Sequence, residues 1–142
     1  MYEELASTAY LQVTYRPDSC LLIGRWLRSI SEEELRAGYA TMRQAAQEHD
    51  CTHWLMDARR RVDRSRNGPE WIVTTFLPQV QREFGRRLCV AFLVLPNHLA
   101  ALEVEGEPAI KSADPASPFQ YARFIDEGAA NAWLDAHRRQ NR

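Results

Sequence analysis

The 142-residue sequence predicts an α/β fold: one mostly parallel sheet of four to five strands, entered through an antiparallel hairpin and flanked by helices. Three observations predict it. Residues 9–16 and 20–27 are strand-like runs separated only by Pro17-Asp18-Ser19, the pattern of a hairpin. Two stretches with helical spacing then alternate with short apolar runs, as in β-α-β units. Finally, residues 88–95 are apolar at every position, which suits a strand covered on both faces.

Each element has its own signal. In residues 9–16, Leu11, Val13 and Tyr15 share one face, and Gln12, Thr14 and Arg16 share the other. Pro17-Asp18-Ser19 turns the chain into the second strand, 20–27. Ser31 and Glu34 form a capping box, and Leu35, Tyr39, Met42 and Ala46 then recur at helical spacing until His49-Asp50. Residues 52–56 form a short strand that ends at Asp57. A polar, arginine-dense loop at 58–67 leads to Gly68-Pro69, where a second helix starts with proline in its first turn.

In that helix Ile72, Phe76, Val80 and Phe84 recur every four residues. Pro78 removes one helical hydrogen bond and is expected to kink or divide it, and Gly85 supplies a stop. Pro96-Asn97 ends the doubly apolar strand. Residues 97–118 read as a loop containing a short helical or extended piece at 98–104. Residues 119–125 alternate as a strand, and Asp126 caps a last helix whose Ala130, Trp133, Leu134 and His137 share a face. The order is β-β-α-β-α-β-β-α, a single domain over 1–142 with its core at about 9–137.

Composition narrows the function classes. The apolar share of 45% and charged share of 26% are those of a globular chain. A formal net charge of -1 provides no general attraction to nucleic acid or to an anionic membrane. The cations are almost all arginine, with Lys111 the single lysine. The three cysteines, Cys20, Cys51 and Cys89, form no C-x-x-C and each lies by an apolar run, so all three are expected to be buried and reduced. The acidic start, Met-Tyr-Glu-Glu-Leu, lacks a signal-peptide core, and no run is long enough to span a bilayer. These features point to the cytoplasm.

Several segments then combine into a familiar series. They are Trp26 in the second strand, Ser-Glu-Glu-Glu-Leu at 31–35, Trp-Leu-Met-Asp-Ala-Arg at 54–59, and Glu-Trp-Ile…Phe-Leu-Pro at 70–78. Leu-Pro at 95–96 and Ala…Ala-Trp-Leu at 129–134 complete it. The series resembles a largely uncharacterised family of small bacterial STAS-like proteins, common in Bacteroidetes, over about residues 9–137. In the STAS domains that act as anti-sigma-factor antagonists, an Asp-Ser-Ser-Gly turn carries a serine phosphorylated by a partner kinase. The comparable stretch here, Asp63-Arg64-Ser65-Arg66-Asn67-Gly68, keeps only Ser65 as a hydroxyl and puts arginines where small residues stand. The resemblance therefore implies the fold, and it marks Ser65 as a candidate phosphorylation site in an altered context.

The residues themselves offer one cluster. Asp57 ends a strand of a parallel sheet, where ligands bind, and Arg59, Arg60, Arg61, Arg64 and Arg66 follow. Guanidinium groups bind phosphate or carboxylate in bidentate fashion, so Asp57, Arg59, Arg61, Arg64 and Arg66 form a candidate anion site. The plainer reading is a solvated loop in which Asp57 and Asp63 pair with arginines. The four histidines match no zinc spacing. His53 and Cys51 are expected on one strand face in structural roles, and Trp26, Trp71 and Trp133 in the core. No catalytic residue, metal or cofactor is expected. The leading expectation is a non-enzymatic regulatory or protein-interaction module with an unknown protein partner, paired as a homodimer. The alternative is a domain that binds a small anionic ligand at the Asp57/Arg59 end.

Overall fold

The computed structural model describes residues 3–5, 7–60, 71–96 and 119–140, and its six strands form one sheet in strictly sequential order. Strands β1 (Glu3–Glu4), β2 (Leu11–Arg16) and β3 (Leu21–Trp26) pair antiparallel. Strands β4 (His53–Asp57), β5 (Leu88–Leu93) and β6 (Phe119–Phe124) continue from β3 in parallel. Helix α1 (Glu32–His49) joins β3 to β4. Helix α2 (Leu77–Phe84), entered through a π-helical stretch at Ile72–Phe76, precedes β5, and α3 (Glu127–Gln140) follows β6. This is the expected layout. The two-residue β1 is an addition, too short to leave an alternating pattern in the sequence.

Local chemistry explains the boundaries. Glu34 N–H donates to Ser31 Oγ at 3.2 Å, and Ser31 N–H donates to Glu34 Oε1 at 3.0 Å, so the capping box closes as expected. Asp126 Oδ2 likewise accepts from Ala129 N–H at 2.9 Å at the start of α3. Pro78 does divide its helix. Leu77 N–H reaches back to Ile72 O, and the widened turn is followed by α2 with the proline in its first turn. Cys20 departs from expectation. It takes a left-handed backbone (φ 50°) in the hairpin turn and is exposed, because β3 starts only at Leu21. Closing the hairpin needs one residue in that conformation, and this removes Cys20 from the strand.

Two apolar layers result. With right-handed crossovers, sequential strands put successive helices on one face. Leu35, Tyr39 and Met42 of α1 and Leu77 and Val80 of α2 accordingly pack with Leu22, Trp26, Trp54, Met56, Val90 and Tyr121 of the sheet. The alternate residues Leu21, Ile23, Leu55, Cys89, Ala91 and Leu93 face the other way and meet Ala130 and Leu134 of α3. Strand β5 is buried at all six positions, as a strand between two such layers must be. Phe84 is only partly buried, so the apolar stripe of α2 loosens in its last turn. Trp71 is also partly buried, edge-on to Tyr39 and under the Arg36 guanidinium, 4.6 Å from the ring centre.

Candidate functional site

Among the described residues, buried polar side chains mark both ends of the face covered by α3, Asp57 at one and His53 at the other. At the carboxyl end of the parallel strands, Asp57 closes β4 and lies in register with Arg25 of β3. Arg25 is the one charged residue in that strand, and α3 brings Glu127 over it. Arg25 Nη1 donates to Asp57 Oδ2 at 2.9 Å and to Glu127 Oε1 at 2.7 Å, and Nη2 donates to Glu127 Oε2 at 3.3 Å. Arg59 completes the cluster. Its backbone N–H and Nε both donate to Asp57 Oδ1, at 3.1 and 3.0 Å, and its Nη2 donates to Oδ2 at 2.9 Å.

The electrostatics follow from this geometry. Burial alone would raise the Asp57 carboxyl, but hydrogen bonds from Arg59 and then Arg25 outweigh it and hold Asp57 below the ordinary value. The bond to Glu127, ahead of that to Asp57, raises Arg25 above its usual value despite burial. Two guanidinium groups and two carboxylates thus neutralise one another. Of the sequence-predicted residues, the fold brings Asp57 and Arg59 together, while Arg61, Arg64, Ser65 and Arg66 lie outside the described residues. Arg25 and Glu127 escaped the sequence reading. An arginine inside the run Leu-Leu-Ile-Gly-Arg-Trp was the available signal, since such a group must find a partner.

The thiols are not poised for chemistry. Burial pushes both Cys51 and Cys89 up to about 11. Contrary to the sequence expectation of one shared strand face, Cys51 and His53 do not share a face. Cys51 precedes β4 and packs with the α1/α2 layer, whereas His53 lies on the α3 side. Among the described residues, no group of three or more His, Cys, Asp or Glu side chains is placed to hold a metal ion. No described helix is long and apolar enough to cross a membrane.

The opposite, amino end of β3 and β4 holds a cavity of about 300 Å³ between the β2–β3 hairpin and α3. His53 lines it at 7% exposure, with Nδ1 within 3.4 Å of Thr52 Oγ1. Burial, followed by the nearby His137, Arg138 and Arg86, lowers the His53 imidazole to about 4, so it is neutral near pH 7. The hairpin contributes Ser19 and α3 contributes Asn131, from parts of the chain more than a hundred residues apart. Nothing in the sequence joins these positions, and the ligand rule for α/β sheets points to the other end. In comparisons with known proteins, the chain matches no family model, no curated protein and no solved structure.

Proposed function

We propose that this chain is a non-enzymatic regulatory or protein-interaction module, STAS-like in kind, working through protein contacts in the bacterial cytoplasm. The observation that carries the reading is the carboxyl end of the sheet. There the charges of Arg25, Asp57, Arg59 and Glu127 are already satisfied, and the two exposed large apolar side chains among the described residues, Leu95 (41%) and Ile125 (49%), lie within two residues of the ends of β5 and β6. Apolar side chains beside a balanced charged rim suit a protein contact better than an anion cradle. An anionic ligand at Asp57 and Arg59 would have to displace carboxylates that already hold both arginines.

Sedimentation velocity of the full chain, with affinity capture from its native lysate, tests the reading. A second copy or another protein should bind the wild type and be released by Ile125→Asp. If neither experiment finds a complex that Ile125→Asp or Leu95→Asp weakens, this function is wrong.

A further inference from the structure

We propose that α3 is the contact of a two-fold homodimer, its outer face packed antiparallel against α3 of a second copy. Among the described side chains of α3, the exposed ones are Gly128, Ala129, Ala132, Ala136 and Arg139. The outer face therefore carries no long or charged side chain until Arg139. Helix α1 shows the solvated alternative in the same chain, with Glu33, Arg36, Gln44 and Glu48 exposed. Alanines at a helix contact let the two axes approach to about 8 Å, the near end of the usual range.

The charges at the two ends of α3 select a second copy as the occupant. A two-fold contact sets one surface against itself, so each position must complement the one it meets. Asp126, at the first end, is exposed, caps the Ala129 N–H and makes no ion pair among the described residues. At the other end the single carboxylate of Asp135 faces both Arg138 and Arg139, which leaves a cation in excess, and the Arg139 side chain is 74% exposed. With the axis between Ala132 and Trp133, antiparallel pairing sets Ala129 against the partner's Ala136 and Asp126 against the partner's Arg139. A parallel pair would set Arg139 against its own copy. Half-buried Trp133, in ring contact with Phe124 at 5.8 Å and His137 at 4.4 Å, flanks the axis as an aromatic anchor. One pair of 14-residue helices buries less than the roughly 1,200 Å² at which stable interfaces begin, so the dimer dissociates at micromolar concentration. With a second copy on α3, the surface at Leu95 and Ile125 is left for another protein, and neither contact depends on the other.

Sedimentation velocity of the full chain, from micromolar to millimolar concentration, should show monomer passing to dimer. Ala132→Glu buries an unpaired charge at the axis and should weaken the dimer about tenfold or more, whereas Ile125→Asp should leave it intact. Cysteine cross-linking checks the register. In a Cys20→Ser background, where Cys51 and Cys89 are buried, Ala132→Cys should form a disulfide-linked dimer on air oxidation, because the axis brings residue 132 beside its own copy. Ala40→Cys, exposed on α1, should not. The proposal is overturned by a monomer at every concentration, by a folded Ala132→Glu that pairs like the wild type, or by equal cross-linking at residues 40 and 132. A dimer that Ile125→Asp disperses and Ala132→Glu does not would also overturn it, while leaving the contact at Ile125 standing. If Ala132→Glu does not fold, the cross-linking decides.

Discussion

Arg25 and Asp57 face each other across a parallel strand pair, register partners whose side chains meet at 2.9 Å. The β3–β4 pairing thereby places a cation and an anion at one level of the sheet, and α3 and the turn after β4 close over them with Glu127 and Arg59. Replacing Arg25 should expose how much this cluster contributes. Arg25→Met leaves Glu127 without its main partner and Asp57 with one arginine instead of two, and should cost about 2 kcal/mol in urea unfolding. Glu127→Gln, at a more exposed position, should cost about 0.5 kcal/mol. Equal losses in the two variants would mean that the cluster is not centred on Arg25.

Close packing between α1 and β3 makes a second prediction. A Cβ at Gly38 would stand 2.4 Å from the Trp26 ring, which is itself fixed in the core. Alanine favours a helix over glycine by about 1 kcal/mol, but the clash should win and Gly38→Ala should lose roughly 1–3 kcal/mol net. At Gly24 the nearest atoms are the sulfurs of Met42 and Met56, at 2.7 and 3.0 Å, and methionine side chains can move aside. Gly24→Ala should therefore cost less. A thermal melt of both variants decides the order.

Stability should fall in acid in two windows. His53 titrates near 6.5 unfolded and at about 4 folded, because burial and the neighbouring His137, Arg138 and Arg86 disfavour its charged form. Between those values the unfolded chain binds more protons, so stability is full above about pH 6.5 and declines toward pH 4, by on the order of 3 kcal/mol. His137, lowered by burial and then by Arg87, acts in the same direction. Asp57, whose pKa is lowered in the fold, adds a loss below about pH 4, its ordinary value. Urea midpoints measured from pH 7.5 to 4.5 should fall more steeply in the wild type than in His53→Gln. Parallel slopes would refute the assignment to His53.

The cysteines offer a simple count. Cys20 is exposed, whereas Cys51 and Cys89 are buried and held at about 11. A thiol reagent at pH 8 should therefore modify one cysteine quickly in the native chain and all three after denaturation. Cys20→Ser should abolish the fast phase.

What the sequence determined by itself was local and periodic. The alternation around Leu11, Val13 and Tyr15, the Ser31–Glu34 box, the break at Pro78 and the fully apolar β5 each lie within one element, and each appears where its pattern placed it. The misreadings fell at boundaries: Cys20 left its strand because the turn needed a left-handed residue, and Cys51 preceded β4 and so lost the strand alternation that would have paired it with His53. Only the tertiary structure decided the sites. Arg25, Asp57 and Glu127 become partners through strand register and the docking of α3, and Ser19, His53 and Asn131 meet across a hairpin, a strand and a distant helix. Side-chain periodicity reports which face a residue occupies, but it holds no record of which distant element will cover that face.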